Sequence, residues 1–311
     1  MKKLLLLLLL SVFLLTGMSQ TALSLPFVPE IPDNEPLYFK FTNYEQISPS
    51  GAIVAPSGAT EQNWGILDVT SVATGDLTGL PSGSTPTDHQ LFARADGVWS
   101  DIGFGEEITG IFWGIQPDNT NVTDTIASTG GFLDLYYDPN DDFSSTYAPA
   151  NRSADNMYTG ATEGNFLARI EFLNGAISSG NPNTSIVGNV VPSPTGFTTG
   201  LADSFGGIVA DVDGDGILYE PVDDGAWAYN LDTNYFDSYL GLNTADFRFK
   251  NSYNPYSTWN GPVGTDIAGA ISDDPARAYS QPIPEPATML LFGTGLLGLI
   301  GLGRRKFFKK G

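Results

Sequence analysis

Asp211-Val212-Asp213-Gly214-Asp215-Gly216-Ile217 sets three carboxylates at alternate positions, with glycine in the sixth place. Calcium takes oxygen ligands, and loops built to hold it supply them from positions one, three, five, seven and twelve, with glycine at six for the sharp turn. Here the seventh position is Ile217, which offers its backbone carbonyl. The twelfth is Val222, where a bidentate carboxylate belongs, so the second half departs from the pattern. Glu220, Asp223 and Asp224 lie close enough to supply the missing oxygen. The expected ligand set is therefore Asp211, Asp213, Asp215, Ile217, Glu220 and Asp223, holding a structural Ca2+. The alternative is an acidic hairpin turn without an ion. Asp138-Pro139-Asn140-Asp141-Asp142 is a second oxygen cluster, for which a plain turn is the simpler reading.

The Asp-x-Asp-Gly-Asp-Gly core resembles the calcium loops of dockerin-like and thrombospondin-type repeats, without their flanking helices or repetition. Catalytic chemistry has less to draw on. His89 is the single histidine, and no Gly-x-Ser-x-Gly elbow accompanies it. With one histidine and no cysteine, a zinc site lacks ligands. Glycoside hydrolysis needs two carboxylates close in space, and Glu106, Glu107, Glu163 and Glu171 lie in aromatic surroundings. No residue is assigned a catalytic role, and the expectation is a protein that is not an enzyme. Trp64, Trp99, Trp113, Trp227 and Trp259 offer rings for sugar stacking, although core packing is the commoner use of such residues. Tyr253 to Asn260 is the stretch expected to expose an aromatic surface.

The elements that position these residues read as short strands. Leu37–Thr42, Trp64–Thr70, Gln90–Ala95, Ile108–Ile115, Gly131–Tyr137, Phe166–Leu173, Ile186–Val191, Phe205–Val212 and Ala245–Lys250 are apolar or alternating strips between Gly, Pro, Asn and Asp clusters. Leu37, Phe39 and Phe41 share one face, as do Phe247 and Phe249; Phe166, Ala168, Ile170 and Phe172 alternate with Leu167, Arg169, Glu171 and Leu173. The expected fold is all-β, a sandwich of short antiparallel strands over residues 37–260. Residues 25–36 hold four prolines and read as a linker, and residues 261–281 as a flexible stalk.

Both ends of the chain carry addresses. Met1-Lys2-Lys3, the apolar run Leu4 to Leu15 and the small residues Ala22-Leu23-Ser24 read as a signal peptide over residues 1–24. At the other end Pro284-Glu285-Pro286 precedes an uncharged run from Ala287 to Gly303 and the basic cluster Arg304-Arg305-Lys306-Phe307-Phe308-Lys309-Lys310. A transmembrane helix needs roughly 17–25 apolar residues, so the run is of spanning length. The basic tail would stay on the cytoplasmic side of the inner membrane. Pro284 and Pro286 keep the preceding backbone extended, as a strip an enzyme can grip.

Residues 282–311 resemble the PEP-CTERM sorting signal of exported bacterial proteins. That resemblance implies an exosortase as partner, with Pro284, Glu285 and Pro286 as its recognition element and Arg304 and Arg305 in the terminal cluster. It also implies a product at the cell surface or in the extracellular matrix, near exopolysaccharide. A carbohydrate-binding module is the alternative, and a polysaccharide-active hydrolase a further one.

Charge narrows the partners. The whole chain has 14 basic and 35 acidic residues, and removing residues 1–24 and 282–311 takes away seven basic residues but one acidic residue, leaving a net charge near −27. Phosphate contacts need Lys and Arg, so nucleic acid is excluded as a partner. Self-repulsion on this scale favours bound or bridging cations. With no cysteine, no disulfide staples this exported chain.

Overall fold

A computed structural model describes residues 28–74, 97–100, 105–118, 126–140, 142–143, 147–175, 182–188, 192–193, 196–197, 199–237 and 244–282. Ten strand segments form its frame: β1 (Pro36–Ile47), β2 (Asn63–Thr74), β3 (Glu107–Pro117), β4 (Ile126–Thr129), β5 (Phe132–Asp138), β6 (Asn165–Phe172), β7 (Ile186–Gly188), β8 (Gly200–Ile208), β9 (Phe247–Pro255) and β10 (Ala268–Tyr279). β4 and β5 both pair with β3 and act as one bent stave. β6 and β7 likewise pair in succession along β8. The result is eight antiparallel staves in sequence order, and β10 returns to pair with β1 along its whole length. This is a closed up-and-down barrel, not the sandwich that the short strips suggested.

Closure depends on a segment that reads as a stalk. Residues 268–279 form a 12-residue strand between β1 and β9. Its sequence contains Gly269, Asp273, Asp274 and Pro275, which ordinarily signal a turn. The β9–β10 ladder opens opposite residues 273–275, so Pro275, which has no N–H, is not asked for a bond to β9. The small residues have a packing reason. Ala278 and Ala276 sit beside Phe247 and Phe249 across that ladder, and a barrel of eight strands has an interior only wide enough for side chains to fill.

The barrel core holds Leu37, Phe39 and Phe41 of β1 and Phe247 and Phe249 of β9, as their alternation predicts, with Leu67, Val69 and Val72 of β2, where a register shift past Thr70 turns both Val69 and Val72 inward. β6 differs. A register shift between Phe166 and Ala168 lets Leu167 join Ile170 and Phe172 inside, while Phe166 packs outside. Gly131, at φ +100, makes the bend between β4 and β5, and a Cβ there would strike Ile115.

The segment read as a linker also packs. Ile31 is buried in the core, Val28 lies against it, and Pro29 accepts a hydrogen bond from Trp227 Nε1 at 2.9 Å. Among the described residues no helix is long and apolar enough to cross a membrane. The signal peptide and the span over 287–303 lie outside those residues, as do Gln90–Ala95 and His89.

Candidate functional site

The long connection from β8 to β9 carries the acidic loop. It leaves the barrel at Ile208 and returns at Phe247, at the end where β10 also finishes. Gly214 and Gly216 take φ values of +78 and +88, which give the loop its two tight bends. Asp211 accepts from the N–H of Gly214 at 2.7 Å and of Gly216 at 3.1 Å; Asp213 accepts from Asp215 N–H and Asp215 from Ile217 N–H. The curled backbone thereby brings one oxygen each from Asp211, Asp213 and Asp215 within 4.8 Å of one another. Two oxygens sharing a Ca2+ at about 2.3–2.6 Å stand no further apart than about 5 Å, so the trio fits one cation.

The remaining predicted ligands are not drawn into that trio. Glu220 is near enough to feel it: partial desolvation, then Asp215, Asp223, Asp213 and Asp224, push its carboxyl above the ordinary value. Ile217 and Asp223 are exposed. The residue that organises the loop is Asp224, buried, which accepts from Val212 N–H at 2.6 Å and from Glu220 N–H at 2.9 Å. The sequence placed it among three interchangeable acids; its neighbour Gly225, at φ +108 against the Leu167 carbonyl, marks where the chain meets the barrel wall. None of the three ion pairs among the described residues involves the loop.

The second acidic cluster is also assembled, with a member sequence did not group with it. Glu107, Asp138 and Asp142 bring oxygens within 4.8 Å of one another. Glu107 accepts from Phe143 N–H and Asp138 from Asn140 N–H, which is turn chemistry. Glu106 accepts from Tyr137 OH at 2.6 Å, Glu163 accepts from Gly160 N–H, and Glu171 is exposed.

A third polar place lies inside the barrel and had no sequence signal. A cavity of about 40 Å³ is lined by Asn43, Glu45, Asn63, Ser204 and Asn251 among apolar neighbours. Water needs some 10–15 Å³ of such space, whereas small-molecule pockets run to several hundred, so this cavity is of water size. Glu45 is fully buried and accepts from Asn63 Nδ2 at 2.9 Å and Asn43 Nδ2 at 3.3 Å. Desolvation outweighs these two donors and pushes its carboxyl up to about 8. Asn63 Oδ1 and Asn251 Oδ1 are buried without a protein partner, which suits ordered water.

Four of the five tryptophans are packed against other side chains. Trp64 and Trp259 pack 5.2 Å apart in a buried cluster on the outside of the barrel, roofed by Tyr44, Tyr147 and Tyr256. Trp259 is fully buried and Tyr253 nearly so, which overturns the expected exposed surface at Tyr253 to Asn260. Trp227 is core, and Trp113 lies beneath the Arg169 guanidinium. Trp99 belongs to a short strand, Gly97–Ser100, that pairs with β2.

The fold thus defines an up-and-down antiparallel barrel with an acidic loop beside the exit of its last strand. The segment beyond that strand has a direct identification: residues 282–306 match the PEP-CTERM protein-sorting motif. The chain therefore carries such a motif near its C-terminus, consistent with an exosortase substrate. No curated protein and no solved structure matches the chain.

Proposed function

We propose that this is an exported, non-enzymatic barrel that an exosortase-type enzyme delivers to the cell surface or extracellular matrix, with calcium stiffening its acidic loop. The observation that carries the reading is the sorting motif, which begins at residue 282, three residues after β10 ends at Tyr279. A signal peptide at one end and a basic-tailed span at the other make the barrel the exported cargo. The exported part has a net charge near −27, and divalent cations can bridge such a surface to a polyanionic matrix. Burial of Trp64, Trp227 and Trp259 weighs against the sugar-stacking alternative, and the water-sized interior supports a packed cargo over a ligand carrier.

Replacing Pro284, Glu285 and Pro286 together with alanine tests the sorting step. The expected result in the native host is unprocessed protein held in the membrane fraction. Normal processing and release of that variant would contradict it.

A further inference from the structure

The barrel end that releases the tail differs from the rest of the surface. Gln281, the second residue past β10, is clamped. Its N–H donates to Asn230 O at 2.8 Å, its Nε2 donates to Tyr229 O and Asp232 O at 2.8 Å each, and its carbonyl accepts from Asn230 Nδ2. These acceptors belong to the short helix α1 (Ala228–Leu231) and its cap. The acidic loop is moored to the same residues: Tyr219 donates to Asp232 Oδ2, and its ring meets Tyr229 edge-on at 5.3 Å. Loop and tail exit are therefore tied to the same short helix, with no stalk between barrel and motif.

Beside its carboxylates this end also exposes apolar side chains. Among the described residues eight large hydrophobic side chains are exposed, and four are here: Ile217, Leu218 and Val222 on the loop, at 53–57 %, and Tyr235, stacked on Tyr279 at 4.5 Å. Val54, on a two-residue strand paired with Thr60, and Val263, in a loop, lie at the opposite end. From Gln281 to Ala287 the chain has six residues, which reach at most about 20 Å. The headgroup layer beside the hydrocarbon is roughly 5–8 Å thick. A barrel tethered this closely cannot stand far from the bilayer in which its tail sits.

We propose that this end of the barrel rests on the phospholipid surface before the tail is processed, with Ile217, Leu218, Val222 and Tyr235 in the interfacial layer. The inference rests on reading residues 287–303 as a membrane span. Apolar side chains and a tyrosine ring suit that layer. The neighbouring carboxylates do not, and a divalent cation held by Asp211, Asp213 and Asp215 would join them to lipid phosphate. The processing enzyme would then meet its motif at a barrel already oriented on the membrane.

The chain has no cysteine, so single cysteines can be labelled cleanly. Leu218→Cys, Val222→Cys, Val263→Cys and Leu291→Cys, each carrying a nitrobenzoxadiazole dye, would be reconstituted as full chains in phosphatidylcholine liposomes with calcium. Blue-shifted emission at 218 and 222, quenched by a headgroup nitroxide, with water-like emission at 263, is the expected result. If the dye at 291 is in lipid while those at 218 and 222 match 263, the patch does not dock on lipid and the proposal is overturned. If the dye at 291 itself reports water, the span reading fails, and docking with it.

Discussion

Glu45 and the Asp211–Asp215 loop hold the same functional group in opposite surroundings. Glu45 is sealed in the barrel with two amide donors, where desolvation favours the neutral acid. The loop carboxylates stand in solvent, three close together, and the proposed calcium would relieve their repulsion. On the proposed reading one site answers its charge with a proton and the other with a metal ion. pH should therefore act on the first and calcium on the second.

The largest effect is expected inside. An acid near the ordinary value of 4.5 when unfolded and near 8 when folded holds its proton more tightly in the folded state. Its contribution is fully present below pH 4.5 and is lost as pH rises towards 8. At about 1.4 kcal/mol per pH unit, stability falls by roughly 3 kcal/mol between pH 4.5 and 7 from this group alone. Glu45→Gln removes the titration and keeps the shape, so its denaturation midpoint should lack that part of the decline. An identical pH profile for variant and parent would sink the assignment.

Next is Asp224→Ala. It strands the N–H groups of Val212 and Glu220 beside a buried site, at about 1–3 kcal/mol, and should weaken calcium binding although Asp224 is not one of the clustered oxygens. Calorimetric titration and urea unfolding measure the two losses, and unchanged calcium affinity would remove Asp224 from its organising role. Smallest is Asp213→Ala. Without calcium it should shift stability by no more than about 0.5 kcal/mol, as exposed sites do. With calcium at about ten times its dissociation constant the parent should gain roughly 1.4 kcal/mol that the variant lacks. A parent whose melting temperature ignores calcium would leave the loop an ordinary turn.

Part of the barrel wall was legible because alternation survives in β1 and β9, where Leu37, Phe39, Phe41, Phe247 and Phe249 meet the core. Closure was not. β10 carries Gly, Asp and Pro in a strand whose small residues make sense only beside Phe247 and Phe249, which are distant in sequence. The shift in β6 was hidden for a related reason, since Leu167 and Phe166 are equally apolar and only the partner strand decides which turns inward. The trio Asp211, Asp213 and Asp215 was legible because a local turn gathers it. Asp224 and Glu45 were not, because their roles come from burial against remote strands. In Asn43-Tyr44-Glu45-Gln46 nothing local says that alternate residues face a closed interior.

On the proposed reading the tail is a processed sorting signal joined directly to a folded cargo. The intact mass of the protein recovered from the surface or medium of its native host tests this. A mass ending before Ala287 is predicted. A mass running to Gly311 would make the segment a permanent anchor and contradict the claim.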